Sequence, residues 1–174
     1  IVYLFNEMVT KEKSKNIHGL GFAFQRSTFL FWEKSTCLPL TPAISWQDSR
    51  ATVILDRFKR YEGEVWEITG APLSAHFGGP KFYHMIQKNK NLKNKAKSGE
   101  VYFGPLSAFI VHATTGQAAI DESIAGRTLM YDLHSRGWSK FTLDLFDVPI
   151  DCLPPIKPVK YEYGNFLNLE IPLL

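Results

Sequence analysis

Apolar side chains at Ile1, Val2, Leu4, Phe5, Met8 and Val9 fall on one face of a helix, so residues 1–13 are predicted helical. The stripe is in full swing at residue 1 with no capping residue before it, the pattern of a helix cut at its start. Residues 17–24 alternate instead and are predicted as a strand, with Gly19 and Gly21 implying close backbone approach on one face. A second strand is expected over 28–32, a turn over 33–39 and a short buried strand over 43–46. Asp48 suits the N-cap of a helix over 49–61, whose Ala51, Ile54, Leu55 and Phe58 share a face. A loop over 69–73 follows, then a helix over 81–87 that runs out among lysines. Further on, 100–103 reads as a strand, and Leu106, Phe109, Ile110 and Ala113 form a helical face ending at Thr115 and Gly116. Residues 120–127 suit a short helix and 129–132 an extended segment. Trp138, Phe141, Leu145 and Phe146 mark a helix closed by Val148 and Pro149, and Pro154, Pro155 and Pro158 read as linker chemistry. Strands and helices alternate, which makes the class α/β.

The chain has 174 residues, 45% of them hydrophobic, enough for one domain with a core that needs neither disulfides nor metals. A charged fraction of 21% with 13 Phe, 7 Tyr and 4 Trp excludes a disordered protein. No apolar run approaches the roughly 18–20 residues that span a bilayer, and the start lacks the basic region of a secretory signal. It also lacks an initiator Met, so it reads as the middle of a longer protein. The net charge of +3 comes from Lys88, Lys90, Lys93, Lys95 and Lys97, without which the chain is slightly acidic. No aromatic or arginine interleaves with those lysines, so a solvated helix end is expected there rather than a nucleic-acid patch, and no membrane surface is expected to bind. Cys37 and Cys152 lie far apart with no histidine at ligand spacing, which points to a reducing cytoplasm and to no metal site.

Short motifs in a particular order go further. Phe24-Gln25-Arg26-Ser27-Thr28, then Pro42 to Ala51 with Ser45-Trp46-Gln47-Asp48, then Thr69-Gly70-Ala71-Pro72-Leu73-Ser74, resemble the first half of the FGGY family of carbohydrate kinases. Gly99 to Pro105 is similar to that family's GELLFG strand, and Asp121 to Asp132 to its TDxTNASRTLLYD stretch. Leu153-Pro154-Pro155 and Tyr163-Gly164 continue the match. The resemblance implies a ribonuclease H-like domain of the actin-like ATPase class, truncated at its N-terminal hairpin strands. It would occupy residues 1–164, with 165–174 as a run-out toward a catalytic Asp and a second, ATP-binding domain.

The reaction so implied moves the γ-phosphoryl of ATP, with Mg, to a hydroxyl of a sugar or polyol. The resemblance places Gln25, Arg26, Ser27, Trp46, Gln47, Asp48, His76 and Phe77 on the substrate side. Arg26 offers a fixed fork of N–H groups that suits vicinal hydroxyls. Trp46 offers a flat apolar face for sugar C–H groups, although a core tryptophan would read the same way. Asp48 is equally an N-cap, and His76 equally an exposed loop histidine. Ser27 stands where glycerol kinases of the family carry Glu, which argues against glycerol itself. Lys81 matches a lysine of the family's first signature that does structural work. That signature is degraded here, with His76, Gly78 and His84 in place of Tyr, Ser and Trp. Cys37 replaces the Gly of a turn, a strained choice if the turn needs positive φ.

The family's phosphate-binding hairpin does not precede residue 1, and the chain ends before the general base, so no catalytic residue and no nucleotide site are expected within it. Two readings follow. One is part of an active kinase that is inactive alone; the other is a decayed or repurposed half that serves as a binding or assembly module. The edge of the 17–24 strand and the face of helix 1–13 are expected to drive self-association.

Overall fold

A computed structural model of the chain describes residues 2–8, 16–166 and 171–173. Its centre is a two-stranded antiparallel ribbon, β1 (Phe29–Glu33) against β2 (Val101–Pro105), with Phe31 opposite Phe103. Strand side chains alternate between faces, and here both faces are covered. Phe29, Phe31, Val101 and Phe103 enter one core; Leu30 and Trp32 enter a second, with Tyr102 packed against it. That explains why β1 reads as an unbroken apolar run rather than an alternating one.

The first core is closed by two consecutive helices. α3 (Gly78–Lys88) brings Phe82 and Ile86, and α4 (Lys90–Lys97) brings Leu92 and Ala96. Asn89 breaks the two apart and caps the second, its side-chain oxygen accepting from Leu92 N at 3.0 Å. α3 begins at Gly78, before the predicted start, because glycine is what the packing admits there. A Cβ on Gly79 would strike the ring of Phe146, and one on Gly78 would lie 2.9 Å from the ring of Phe29. Of the lysine run, Lys88 ends α3 and the other four lie on α4, where Lys93 pairs with Asp147 and Lys95 with Glu33.

α5 (Leu106–Thr115) covers the other face of the ribbon through Ala108 and Phe109 and stops at Gly116, whose φ is 75°. The short elements then wrap around: β3 (Ile120–Asp121), α6 (Glu122–Ala125), β4 (Tyr131–Asp132), β5 (Gly137–Trp138), α7 (Lys140–Leu145) and β6 (Ile156–Lys157). β3 runs parallel to β6, and β4 antiparallel to β5. β7 (Gly164–Asn165) pairs antiparallel with β8 (Pro172–Leu173). Among the described residues no helix is long and apolar enough to cross a membrane.

Several expectations need correction. Residues 17–24 keep an alternating burial pattern at their C-terminal end, with Phe22 and Phe24 half-buried and Gly21 and Ala23 exposed, but their ladder is a single bridge from Leu20 to Leu173. They are an extended segment, not a strand. The segment 43–46 is likewise one bridge, Ile44 to Phe29, with Ala43 and Trp46 exposed. The helix over 49–61 is two 3₁₀ pieces, Arg50–Arg57 and Lys59–Tyr61, followed by an unforeseen α2 (Glu62–Thr69). Asp48 accepts from Arg50 N at 2.9 Å, while the N-cap position belongs to Ser49. The helix α1 spans Val2–Met8; the rest of the predicted 1–13 helix lies outside the described residues. Cys37 does adopt a positive φ, 56°, as its turn position suggested.

One polar contact crosses the second core. The indole N–H of buried Trp32 donates to Nδ1 of His112 at 2.9 Å, so that nitrogen must stay unprotonated. Burial pushes His112 below the ordinary histidine value of 6.5, and burial also lowers His76 and His84. The unfolded chain takes up these protons near 6.5 and the folded chain only at lower pH. In that window the unfolded state holds more protons, so stability rises with pH and is lost as pH falls below about 6.5. The urea midpoint is therefore expected to fall between about pH 7 and pH 5, and less steeply in His112→Gln, whose amide oxygen keeps the acceptor without the titration. An unchanged slope in that variant would remove His112 from the account.

Candidate functional site

Three loops and one turn meet beside the open end of β1. The chain turns at Arg26 and Ser27, where Thr28 Oγ1 donates to Gln25 Oε1 at 2.8 Å and Leu106 N donates to Thr28 O at 2.8 Å. The second loop is anchored by the reciprocal backbone bonds of Phe29 and Ile44 and carries Trp46 in the turn that follows. The third presents His76, whose backbone N–H donates to Ser74 Oγ at 3.2 Å, just before α3. Gly79 N donates to Thr128 O at 2.7 Å and so fastens the start of α3 to the turn that holds Arg127.

Lys81 binds two of these loops together. It is 2% exposed, and its Nζ donates to the backbone oxygens of Ala75 at 2.8 Å and Asp48 at 3.1 Å. Burial lowers its pKa, and the nearby Asp48 charge opposes that shift. Its work is positioning: it fixes the chain beside both Trp46 and His76.

The result is one open cavity of about 300 Å³, lined by Phe24, Gln25, Arg26, Ser27, Trp46, His76 and Arg127. Trp46 and His76 meet edge to face, their rings 5.8 Å apart. Arg127 stacks on the ring of Phe77 at 4.9 Å, and its Nη2 lies 3.3 Å from His76 Nε2. Arginine has only donors, so Nε2 of His76 accepts and its proton resides on Nδ1. Burial and the charges of Arg127 and Lys81 all hold His76 below the usual histidine range, in keeping with a neutral ring.

Five of the eight residues singled out in the sequence come together here: Gln25, Arg26, Ser27, Trp46 and His76. Gln47 is exposed in the turn beyond Trp46 and does not line the cavity. Asp48 is held by Arg50, whose Nε donates to Oδ2 at 2.8 Å and keeps the carboxyl below its ordinary range. Phe77 lies behind the wall, 4% exposed, as the platform for Arg127. Arg127 itself went unnoticed in the sequence. A signal was there: one cation between the apolar pairs Ile124-Ala125 and Leu129-Met130, all of them buried. Among the described residues two buried side-chain atoms find no partner, Ser27 Oγ and Arg127 Nε, and both belong to lining residues.

Chemically the described residues give the cavity an apolar indole face, two guanidinium groups, a hydroxyl, an amide and a neutral imidazole, with no carboxylate among them. Such a set has the chemistry that suits hydroxyl-bearing molecules. Among the described residues no three His, Cys, Asp or Glu side chains converge as a metal cage, so no step through Mg²⁺ is assigned to them.

The family described as "FGGY family of carbohydrate kinases, N-terminal domain" matches residues 3–170. The chain belongs to that family. Among curated relatives, glycerol kinase of Pseudothermotoga lettingae is 33% identical over 165 residues, covering 90% of this chain and 33% of the relative. Glycerol kinase of Bacillus cereus is 33% identical over 170 residues, covering 92% of this chain and 34% of the relative. The chain thus spans about a third of the length of these kinases. Among solved structures, Plasmodium falciparum glycerol kinase with ADP superposes with a TM-score of 0.82 at 26% identity, covering 86% of this chain and 31% of that one. Ligand-bound xylulose kinase from Lactobacillus acidophilus gives 0.77 at 18% identity, covering 94% and 35%. The expected α/β, ribonuclease H-like fold of an FGGY N-terminal domain is thereby borne out.

Proposed function

We propose that this FGGY domain is the substrate-side wall of an ATP-dependent carbohydrate kinase, holding a sugar or polyol while a γ-phosphoryl passes to one of its hydroxyls. One observation carries the reading: Gln25, Arg26, Ser27, Trp46 and His76, scattered over fifty residues of sequence, close around a single cavity in a chain of this family. Trp46 would pack on the C–H face of the ligand while the Arg26 fork bonds its hydroxyls. ATP and Mg belong to the complete enzyme in this reading.

Among the described residues this cavity has no carboxylate to take the hydroxyl proton. A missing general base alone lowers a rate by about 10²–10⁴, so the 174-residue chain by itself is proposed to bind but not to turn over. Coupled ADP-release assays across polyols and ketoses are expected to stay at the blank. Clear turnover with any of them would show that the chain supplies a base and a nucleotide site of its own, and would overturn this division of labour.

Residues 1–164 are proposed as the domain and 165–174 as its run-out. A cytoplasmic setting is in keeping with two unbridged cysteines, Cys37 and Cys152. Self-association is proposed through residues 17–24, whose one bridge among the described residues is Leu20 to Leu173, a sparse pairing for an extended apolar segment.

A further inference from the structure

One nitrogen of His76 is engaged inside the protein. Nε2 lies 3.3 Å from Arg127 Nη2 and accepts from it, because a guanidinium only donates. Its single lone pair is therefore taken, and the ring proton is left on Nδ1, the less favoured tautomer of a free histidine. What the ring still offers is packing. It meets Trp46 at 5.8 Å with the planes 65° apart, and Phe77 at 5.0 Å with the planes 83° apart. Phe77 is rooted in the first core, and Arg127 stacks on its face at 4.9 Å. The contacts thus run in one line from the core to the rim. Phe77 holds Arg127, Arg127 holds His76, and His76 flanks the exposed indole of Trp46. Each link has a preferred geometry: a cation over a ring face, an N–H aimed at a lone pair, a ring edge against a ring face.

The backbone bonds described above fix the loops but not the rotation of these rings. Phe29 and Ile44 anchor the Trp46 loop, Lys81 Nζ holds it through Asp48 O, and Gly79 N ties the Arg127 turn to α3. The side-chain line is what joins the two across the cavity. It holds only while His76 is neutral. A protonated ring would turn an N–H toward an N–H and set two like charges 3.3 Å apart. The charged groups around the ring oppose that protonation: Arg127 from the turn after α6 and Lys81 from α3, with Arg26 lining the same cavity. Asp48, on the Trp46 loop, is paired with Arg50.

We propose that Arg127 is a positioning residue of this cavity: acting through His76, it sets the angle at which the Trp46 indole faces an occupant. The inference rests on the reading of the cavity as the substrate site, and adds to it a residue that orients the site without touching the ligand.

Proton–nitrogen correlation spectra of the nitrogen-labelled 174-residue chain read the His76 tautomer directly. At neutral pH the proton is expected on Nδ1, and the ring should titrate below 6.5. Arg127→Met keeps the stem over Phe77 and removes both the donor and the charge. There the Nε2–H form should appear and the His76 midpoint should rise, while His112 in the second core keeps its own midpoint and reports an intact fold. An Nε2–H tautomer in the unaltered chain would overturn the proposal without any variant, and so would a midpoint that Arg127→Met leaves in place. Binding then separates orienting from touching. Glycerol, xylitol and D-xylulose are titrated by calorimetry, and the tightest serves as probe. Arg127→Met is expected to weaken it roughly 2- to 12-fold, the span of an aromatic pair. The double variant with Trp46→Ala should bind no more weakly than Trp46→Ala alone, since Arg127 works through the indole. Undiminished binding in Arg127→Met would overturn the positioning role. Additive losses would make Arg127 a ligand contact and overturn it too, leaving the substrate site standing. No binding of any of the three would overturn both.

Discussion

Phe103→Ala is expected to remove about 3–5 kcal/mol of folding free energy, the range found when a buried phenylalanine is truncated. Phe103 is fully buried and sits at the centre of an aromatic cluster, with ring centroids 4.7 Å from Phe31, 5.1 Å from Phe82 and 5.5 Å from Phe29. Removing it strips three partners at once, two on the facing strand β1 and one on α3. The backbone there is held by the β1–β2 ladder, so the walls cannot collapse fully into the void. Domains of this size hold only about 5–15 kcal/mol in total, so the variant should lose a large share of its stability. Chemical denaturation monitored by circular dichroism measures it. A loss under about 1 kcal/mol would mean that the aromatic cluster repacks, contrary to the rigid centre described here.

Arg26→Ala is expected to lower kcat/KM by roughly 10- to 150-fold in an enzyme that joins this domain to its nucleotide half, since a hydrogen bond from a charged group is worth about 1.5–3 kcal/mol. Arg26 is exposed at the rim and among the described residues no acceptor side chain binds its fork, so its loss should leave the fold intact. Trp46→Ala should act differently. It removes a packing face that meets ground state and transition state alike, and so should raise KM more than it lowers kcat. Steady-state kinetics of the two variants separate these effects. If Arg26→Ala is silent in a folded enzyme, the cavity is not where the substrate sits.

Much of the fold was legible because its signals are local. The apolar run of β1, the helical face of α5 and its stop at Gly116 all follow from residues within one window. The misses are places where distant partners decide. The alternation of residues 17–24 is genuine as a burial pattern, yet a strand needs a neighbour to pair with, and among the described residues only Leu173 provides one. Residues 50–57 have helical spacing, but the winding is tightened into 3₁₀, a choice that periodicity does not resolve. α2 was invisible because Glu62, Gly63, Glu64 and Trp66 are exposed and only Val65 and Thr69 turn inward, too few to draw a stripe. At the site, the motif order brought five residues into view. Arg127 did not emerge because its role depends on His76 and Phe77, fifty residues away in sequence.

The placement of Trp46 has a practical consequence. Of the four indoles, Trp32 is sealed in the second core, Trp66 is 55% exposed on α2, and Trp138 packs against the first and second cores. Trp46, 43% exposed and edge-on to His76, is the one whose surroundings change when the cavity fills. A molecule lying along its face would exchange water for carbon there and shift its emission toward the blue. The domain therefore carries its own optical gauge of occupancy, and Trp46→Phe would blind it without touching the light from the other three.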